Sequence, residues 1–273
     1  FNNFNSKNLS KYFSGIVAFE NKENTSALEF FSSSKILLNQ HEPYLKRYVY
    51  SLVLENKITQ AVNIVKKNKG KNNSNFFDAH LLLILDDLKK NDLDKAYFKA
   101  LNISNSLEIS KFNAAIIENL KQYIYVFKEN KFLDNKKDFG KLSRISETFQ
   151  KCYLGDQTTD ASFSNLFNDL EVDYSRYIYF YLTYLVENSR IDDAKNLTSN
   201  LNYINTTLLL SQGKDWIENE NAEKLVSFFS CKSPNDIIGE FLFLISNLYS
   251  SQDNFEKSNF FLNLSNFLNP KFI

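Results

Sequence analysis

The sequence predicts an all-α protein of antiparallel helix pairs, and three observations carry that prediction. Apolar residues recur at three- and four-residue intervals, with little strict alternation. Short polar breaks ("NKEN", "ENK", "KKND", "ENSR", "SSQD") separate segments of helical length. A small residue follows five of the turns, at Ala27, Ala61, Ala96, Ala194 and Ser258. Ala27 to Ala61 is 34 residues and Ala61 to Ala96 is 35, the spacing of a repeated helix–turn–helix unit.

Taken in order, the first helix covers 9–20, "LSKYFSGIVAFE", with Leu9, Tyr12, Phe13, Ile16, Val17 and Phe19 spread over two adjoining faces. The turn "KENTSA" leads into its partner. A second pair starts at Glu42 with the turn "NKITQA", and a third at Phe77 with "NDLDKA". The polar, glycine-containing stretch "KKNKGKNNSN" (66–75) reads as a loop with solvated lysines. Residues 107–130 predict one long helix, 138–154 another, and 156–173 a helix capped by Thr158 or Thr159. From Ser175, "RYIYFYLTYLV" is apolar nearly all round, which predicts a helix covered on both sides before the turn "SRIDDA". Two short helices are expected in 205–232, and "EFLFLISNLY" with "DNFEKS" makes the last pair.

The small residue has a packing reason. Two helices at a short interaxial distance leave room for a methyl group where they cross, and a bulky side chain would push them apart. An apolar residue also recurs two positions after each turn starts, as Ile58, Leu93, Ile191 and Phe255, with Asn24 in the first turn instead.

This pattern resembles the tetratricopeptide repeat, a helix–turn–helix unit of 34 residues. The first unit carries the resemblance through Gly15, Ala27, Phe31 and Ser34, and the last through Ser246, Tyr249, Ser258, Leu262, Ser265 and the helix-stopping Pro270. Val49, Ile84, Asp87 and Leu182 depart from the pattern, each standing where a smaller or different residue is usual. The resemblance implies a right-handed α-solenoid, one continuous array with about three repeats over 1–104, divergent helical repeats over 105–174 and further repeats over 175–273. It implies a concave groove for a protein or peptide partner, lined by Tyr12, Ile16 and Phe19, then Lys46, Tyr50 and Val53. Leu81, Leu85 and Lys89 follow, then Arg176, Tyr179 and Thr183, and finally Phe243 and Asn247. Aromatic and basic groove residues anchor extended peptides or helices, and the same stripe reads equally as packing between neighbouring pairs. The lysine–asparagine–arginine carboxylate clamp of one subclass is rejected, because Tyr12 and Ile16 occupy its positions and Lys46 with Arg47 does not rebuild it.

Composition narrows the function class. Lys+Arg and Asp+Glu are 32 each, which gives no electrostatic footprint for nucleic acid. The longest apolar runs, "LLLIL" and "FLFLI", fall far short of a bilayer span. His41 and His80 lie far apart, near no nucleophile motif, and no metal-ligand spacing or phosphate-loop motif is present, so neither catalysis nor a cofactor is expected. Asp86/Asp87 and Asp192/Asp193 read as solvated or as favourable charges at helix ends. Cys152 and Cys231 read as free thiols, a single bridge being the alternative. No compartment follows. The absence of methionine, with Pro270 near the end, leads to the expectation of a piece of a longer chain. The leading functional expectation is a non-catalytic protein–protein interaction scaffold. The alternatives are the repeat portion of a larger bacterial enzyme, such as a glycosyltransferase, and an envelope-associated assembly factor.

Overall fold

Fifteen α-helices and two short 3-10 turns make up the regular structure among the described residues, which are 5–39, 41–106, 109–167, 175–200 and 208–271 of a computed structural model. The predicted all-α class is observed. The helices are α1 (Ser6–Glu20), α2 (Asn24–Ser33), α3 (Glu42–Leu54), α4 (Ile58–Lys67), α5 (Phe77–Lys89), α6 (Leu93–Ser106), α7 (Lys111–Glu129) and α8 (Lys141–Leu154). They continue as α9 (Thr159–Phe167), α10 (Ser175–Glu187), α11 (Ile191–Ser199), α12 (Leu208–Glu218), α13 (Glu223–Phe228), α14 (Pro234–Ser250) and α15 (Phe255–Leu268). α15 stops two residues before Pro270. Parts of the expected helices in 107–130, 156–173 and 205–232, namely 107–108, 168–173 and 205–207, lie outside the described residues.

One backbone device makes the hairpins. Lys22, Asn56, Asn91, Ser189 and Asp253, the first residues of the five aligned turns, all have φ between 54° and 65°. In each, the next residue's N–H donates to a carbonyl five residues back: Glu23 to Ala18, Lys57 to Leu52, Asp92 to Asp87, Arg190 to Leu185 and Asn254 to Tyr249. The left-handed residue thus closes the preceding helix and satisfies one of its orphan carbonyls. Ile58, Leu93, Ile191 and Phe255 are then the first residues of the following helices. The same closure occurs at Gly155, with Asp156 donating to Lys151, and at Glu220, with Asn221 donating to Trp216. α8–α9 and α12–α13 are therefore hairpins of the same kind. Thr158 stands just before α9, where a cap is expected, and its carbonyl accepts from the Ser162 N–H at 3.0 Å, while its own N–H and hydroxyl donate to Asp156 Oδ1 at 2.7 and 2.5 Å.

The crossing residues are where the spacing places them. Ala27, Ala61, Ala96 and Ala194 are fully buried. A methyl group on Gly15 would lie 2.9 Å from the Phe31 ring, so α1 and α2 approach closely there. At the α14–α15 crossing the Ser246 and Ser258 hydroxyls are 3.0 Å apart.

The chain divides into two compact units, 1–121 with 239–268, and 122–238 with 269–273. In the first, α2 packs on α3 and α4 on α5, and α15 packs on α3 and α4. Tyr12 is sealed among Phe31, His41 and Tyr44, and its hydroxyl accepts from Arg47 Nη1 at 2.7 Å. Asp86 and Asp87 are buried here, contrary to the solvated reading. Asp86 pairs with Lys66 at 2.5 Å and Lys90 at 2.7 Å, and Asp87 pairs with Lys99. Lys66 of the "KKNKGKNNSN" stretch is exposed, as expected of its lysines, but with Lys67 it belongs to the last turn of α4 and it pairs with Asp86.

In the second unit, α10 is covered by α9, α12 and α13. That accounts for its all-round apolar sequence. Phe149, Phe163, Phe180 and Phe229 form its aromatic centre, and all four are fully buried. The free-thiol reading is corrected: Cys152 of α8 and Cys231, just before α14, form a disulfide with Cα atoms 5.6 Å apart. Asp193, in the first turn of α11, accepts from Arg190 Nε at 2.7 Å, in line with the helix-end reading.

Candidate functional site

The fourteen residues expected to line a groove separate by burial. Tyr12, Tyr50, Val53, Leu81, Leu85, Tyr179 and Thr183 are buried, Ile16, Phe19, Arg176 and Phe243 half-buried, and Lys46, Lys89 and Asn247 exposed. The first seven offer no surface to a partner in this structure and belong to the core.

Within the first unit the physical reason is α15. Tyr50 stacks on Phe260 with centroids 4.7 Å apart, and Phe19 meets the Tyr50 ring edge-on. Lys257 lies 4.8 Å above the Tyr50 ring and 3.6 Å from Asp78. Asn263 Nδ2 donates to the Val53 and Leu54 carbonyls at 2.9 and 3.1 Å, so α3 is capped by a side chain about 210 residues away. Lys22 pairs with Glu256, and Lys89 donates to the Phe267 carbonyl with its ammonium 4.2 Å from that ring. Burial pushes the Tyr50 phenol well above its ordinary pKa, with the nearby Glu256 and Asp78 charges adding to it. Burial likewise lowers Lys89. The face expected to receive a partner therefore holds the chain's own last helix.

In the second unit Tyr179 lies against α12, where a methyl on Gly213 would sit 3.0 Å from its ring, and burial pushes its phenol above the ordinary range. The Thr183 hydroxyl donates to the Tyr179 carbonyl at 3.0 Å. Arg176 lies 5.5 Å from the Phe180 ring.

One apolar surface that stays open is the outer face of α1–α2. Phe13 is 54%, Val17 60% and Phe30 38% exposed, and they line a shallow cavity of about 560 Å³ with Ser10 and Asn21. The repeat register gives this face a meaning. Counting back from the crossing alanines, Phe13 corresponds to Arg47 and Leu82, and Val17 to Ser51 and Asp86. In the later hairpins these positions face the preceding hairpin: Arg47 bonds to Tyr12 of α1, and Asp86 to Lys66 of α4. Ser51, Leu82 and Asp86 are buried. The first hairpin presents the same face uncovered among the described residues.

The sequence carried a signal for this surface, since the stretch 9–20 is apolar over two faces and one hairpin partner can cover only one. Among the described residues, no group of three or more His, Cys, Asp or Glu is placed to hold a metal ion, and no helix is long and apolar enough to cross a membrane. His41 lies edge-on to Tyr12, and His80 bonds to Asn75. No family model, curated protein or solved structure matches the chain.

Proposed function

We propose that the chain is a non-catalytic helical-repeat scaffold, and that it engages a helical partner through the outer face of α1–α2 rather than through the groove lined by Tyr50 and Leu81. The observation that carries this reading is the uncovered face of Phe13 and Val17, with Phe30 beside them, where the positions matching Phe13 and Val17 in later hairpins meet a neighbouring hairpin. A partner helix pair would continue the stack there. Covering three partly exposed side chains of this size contributes on the order of 3 kcal/mol. That suits one part of a larger interface.

A photo-crosslinking side chain at Val17, with one at exposed Lys46 as the control, tests the proposal in the native cell. The expected result is a protein adduct at position 17 whose linked peptide comes from a helix, with little adduct at position 46. Equal labelling at both positions, or none at 17, contradicts it; an adduct with this same chain would mean self-association in place of a separate partner.

A second observation bears on the compartment. The Cys152–Cys231 bond favours an envelope-associated assembly role over a cytoplasmic one, because such bonds persist where the surroundings are oxidising. Alkylation of the protein in native cells before reduction is expected to leave both cysteines unlabelled. Quantitative labelling of both would contradict this second reading and leave the scaffold reading intact.

A further inference from the structure

We infer that a cavity where the turn of α1–α2 meets the turn of α14–α15 binds a neutral sugar. Its volume is about 550 Å³, within the usual span of small-molecule sites. The repeat register singles it out. Asn24, Ile58, Leu93, Ile191 and Phe255 hold one position, the first residue of the second helix in each hairpin. Ile58 is buried there, and Leu93 and Ile191 are half-buried. Phe255 stands 65% exposed, and Asn24 is the one polar residue of the set. Both line this cavity, so the two departures from the pattern meet in one place.

The fold already uses some of the lining groups. Lys22 and Glu256 pair with each other, which ties the first turn to the start of α15. Asn254 Oδ1 accepts from the Lys257 N–H at 3.2 Å, capping α15. Leu54 is buried, and its carbonyl is held by Asn263. The Asn24, Gln252 and Asn259 amides, the Asp253 carboxylate and the Phe255 ring remain for a ligand.

That set matches the chemistry of a sugar. An amide donates and accepts, as a hydroxyl does, so two neighbouring hydroxyls can close two bonds on one amide. A carboxylate accepts from hydroxyls as well. The C–H face of a pyranose is apolar and flat enough to lie on an aromatic ring such as Phe255. An anion would meet Asp253, with Lys22 already matched by Glu256. A purely apolar molecule would strip water from the amides and the carboxylate without replacing their partners. A protein helix would need a larger apolar centre than Leu54 and Phe255 supply.

Saturation-transfer and shift-perturbation NMR of the chain with methyl glucoside, methyl galactoside, N-acetylglucosamine and maltose test this, with sorbitol as the open-chain control. At least one ring sugar is expected to bind saturably, about fivefold or more tighter than sorbitol. Saturation should be strongest on its ring C–H protons, and shifts should centre on the Asn24 and Gln252 backbone amides. The tightest sugar names the preferred one. Phe255→Ala is expected to weaken it about fivefold or more, and Phe255→Trp to keep it. Asn24→Ala with Asn259→Ala should weaken it to a similar degree. Phe255 is exposed, and unchanged thermal melts verify that the variants fold. Absence of saturable binding by all the ring sugars, sorbitol binding as tightly, shifts away from the two turns, or an affinity unchanged by Phe255→Ala overturns the inference. The proposed partner surface on α1–α2 stands or falls separately, on the crosslinks at Val17.

Discussion

Asp86 shows how a single residue couples two hairpins. Burial alone would raise its pKa, but hydrogen bonds from Lys66 and Lys90, with their charges, reverse this and hold the carboxyl below its ordinary range. A depressed folded-state value means that the stabilisation is present above the unfolded value of about 3.9 and is lost as pH falls through the lower folded one. Asp86→Asn is expected to cost about 1–2 kcal/mol at pH 7, less than for a fully buried pair because both lysines are largely exposed. Thermal melts of the two proteins should converge below about pH 4; a constant difference across that range would remove the ion pair from the account. At the crossing point of α3 and α4, Ala61→Phe should overfill the contact and cost about 1–3 kcal/mol or more, read as a lowered denaturation midpoint. An unchanged midpoint would mean that Ala61 does not sit between the helices.

At the scale of elements, the turns and the disulfide set the pattern. Glu220 holds a left-handed conformation, φ 59°, that a β-carbon disfavours. Glu220→Gly is accordingly expected to raise stability by about 0.5–1 kcal/mol, while a fall in stability would argue against the closing turn of α12. The bond from Cys152 to Cys231 spans a sequence separation of 79, for which chain entropy gives about 4.5 kcal/mol. Reduction, or Cys152→Ala with Cys231→Ala, should therefore lower the melting temperature of the second unit, and a melt indifferent to reductant would show that the bridge does not constrain it. The helices themselves were legible because their apolar spacing is local. The middle register was not, because the alignment relied on a small residue five positions after the turn starts. Asp160 and Leu225 stand there in α8–α9 and α12–α13, although Gly155 and Glu220 adopt the same left-handed turn. What these hairpins share is a backbone conformation, and different side chains satisfy it. The disulfide stood only as the alternative to free thiols for a related reason: two cysteines that distant in sequence carry no spacing signal.

Across the molecule, the sequence pattern did not show contacts between residues some 210 positions apart, which cover part of the expected groove. Tyr50, Val53 and Leu81 are buried, and periodicity cannot say what covers them. In the first unit α15 does, through Phe260, Lys257 and Asn263. The open surface at Phe13 and Val17 was visible as an excess of apolar residues on α1, but only the packing of the later hairpins says what such a face receives. The proposed scaffold role therefore depends on α15 being seated on α3 in solution. Nuclear Overhauser contacts between the ring protons of Tyr50 and Phe260 measure that seating directly. The account predicts strong cross-peaks between the two rings, with the Tyr50 ring shielded from a soluble paramagnetic probe. Absent cross-peaks and a Tyr50 ring relaxed by the probe would contradict it and return that face to the list of partner surfaces.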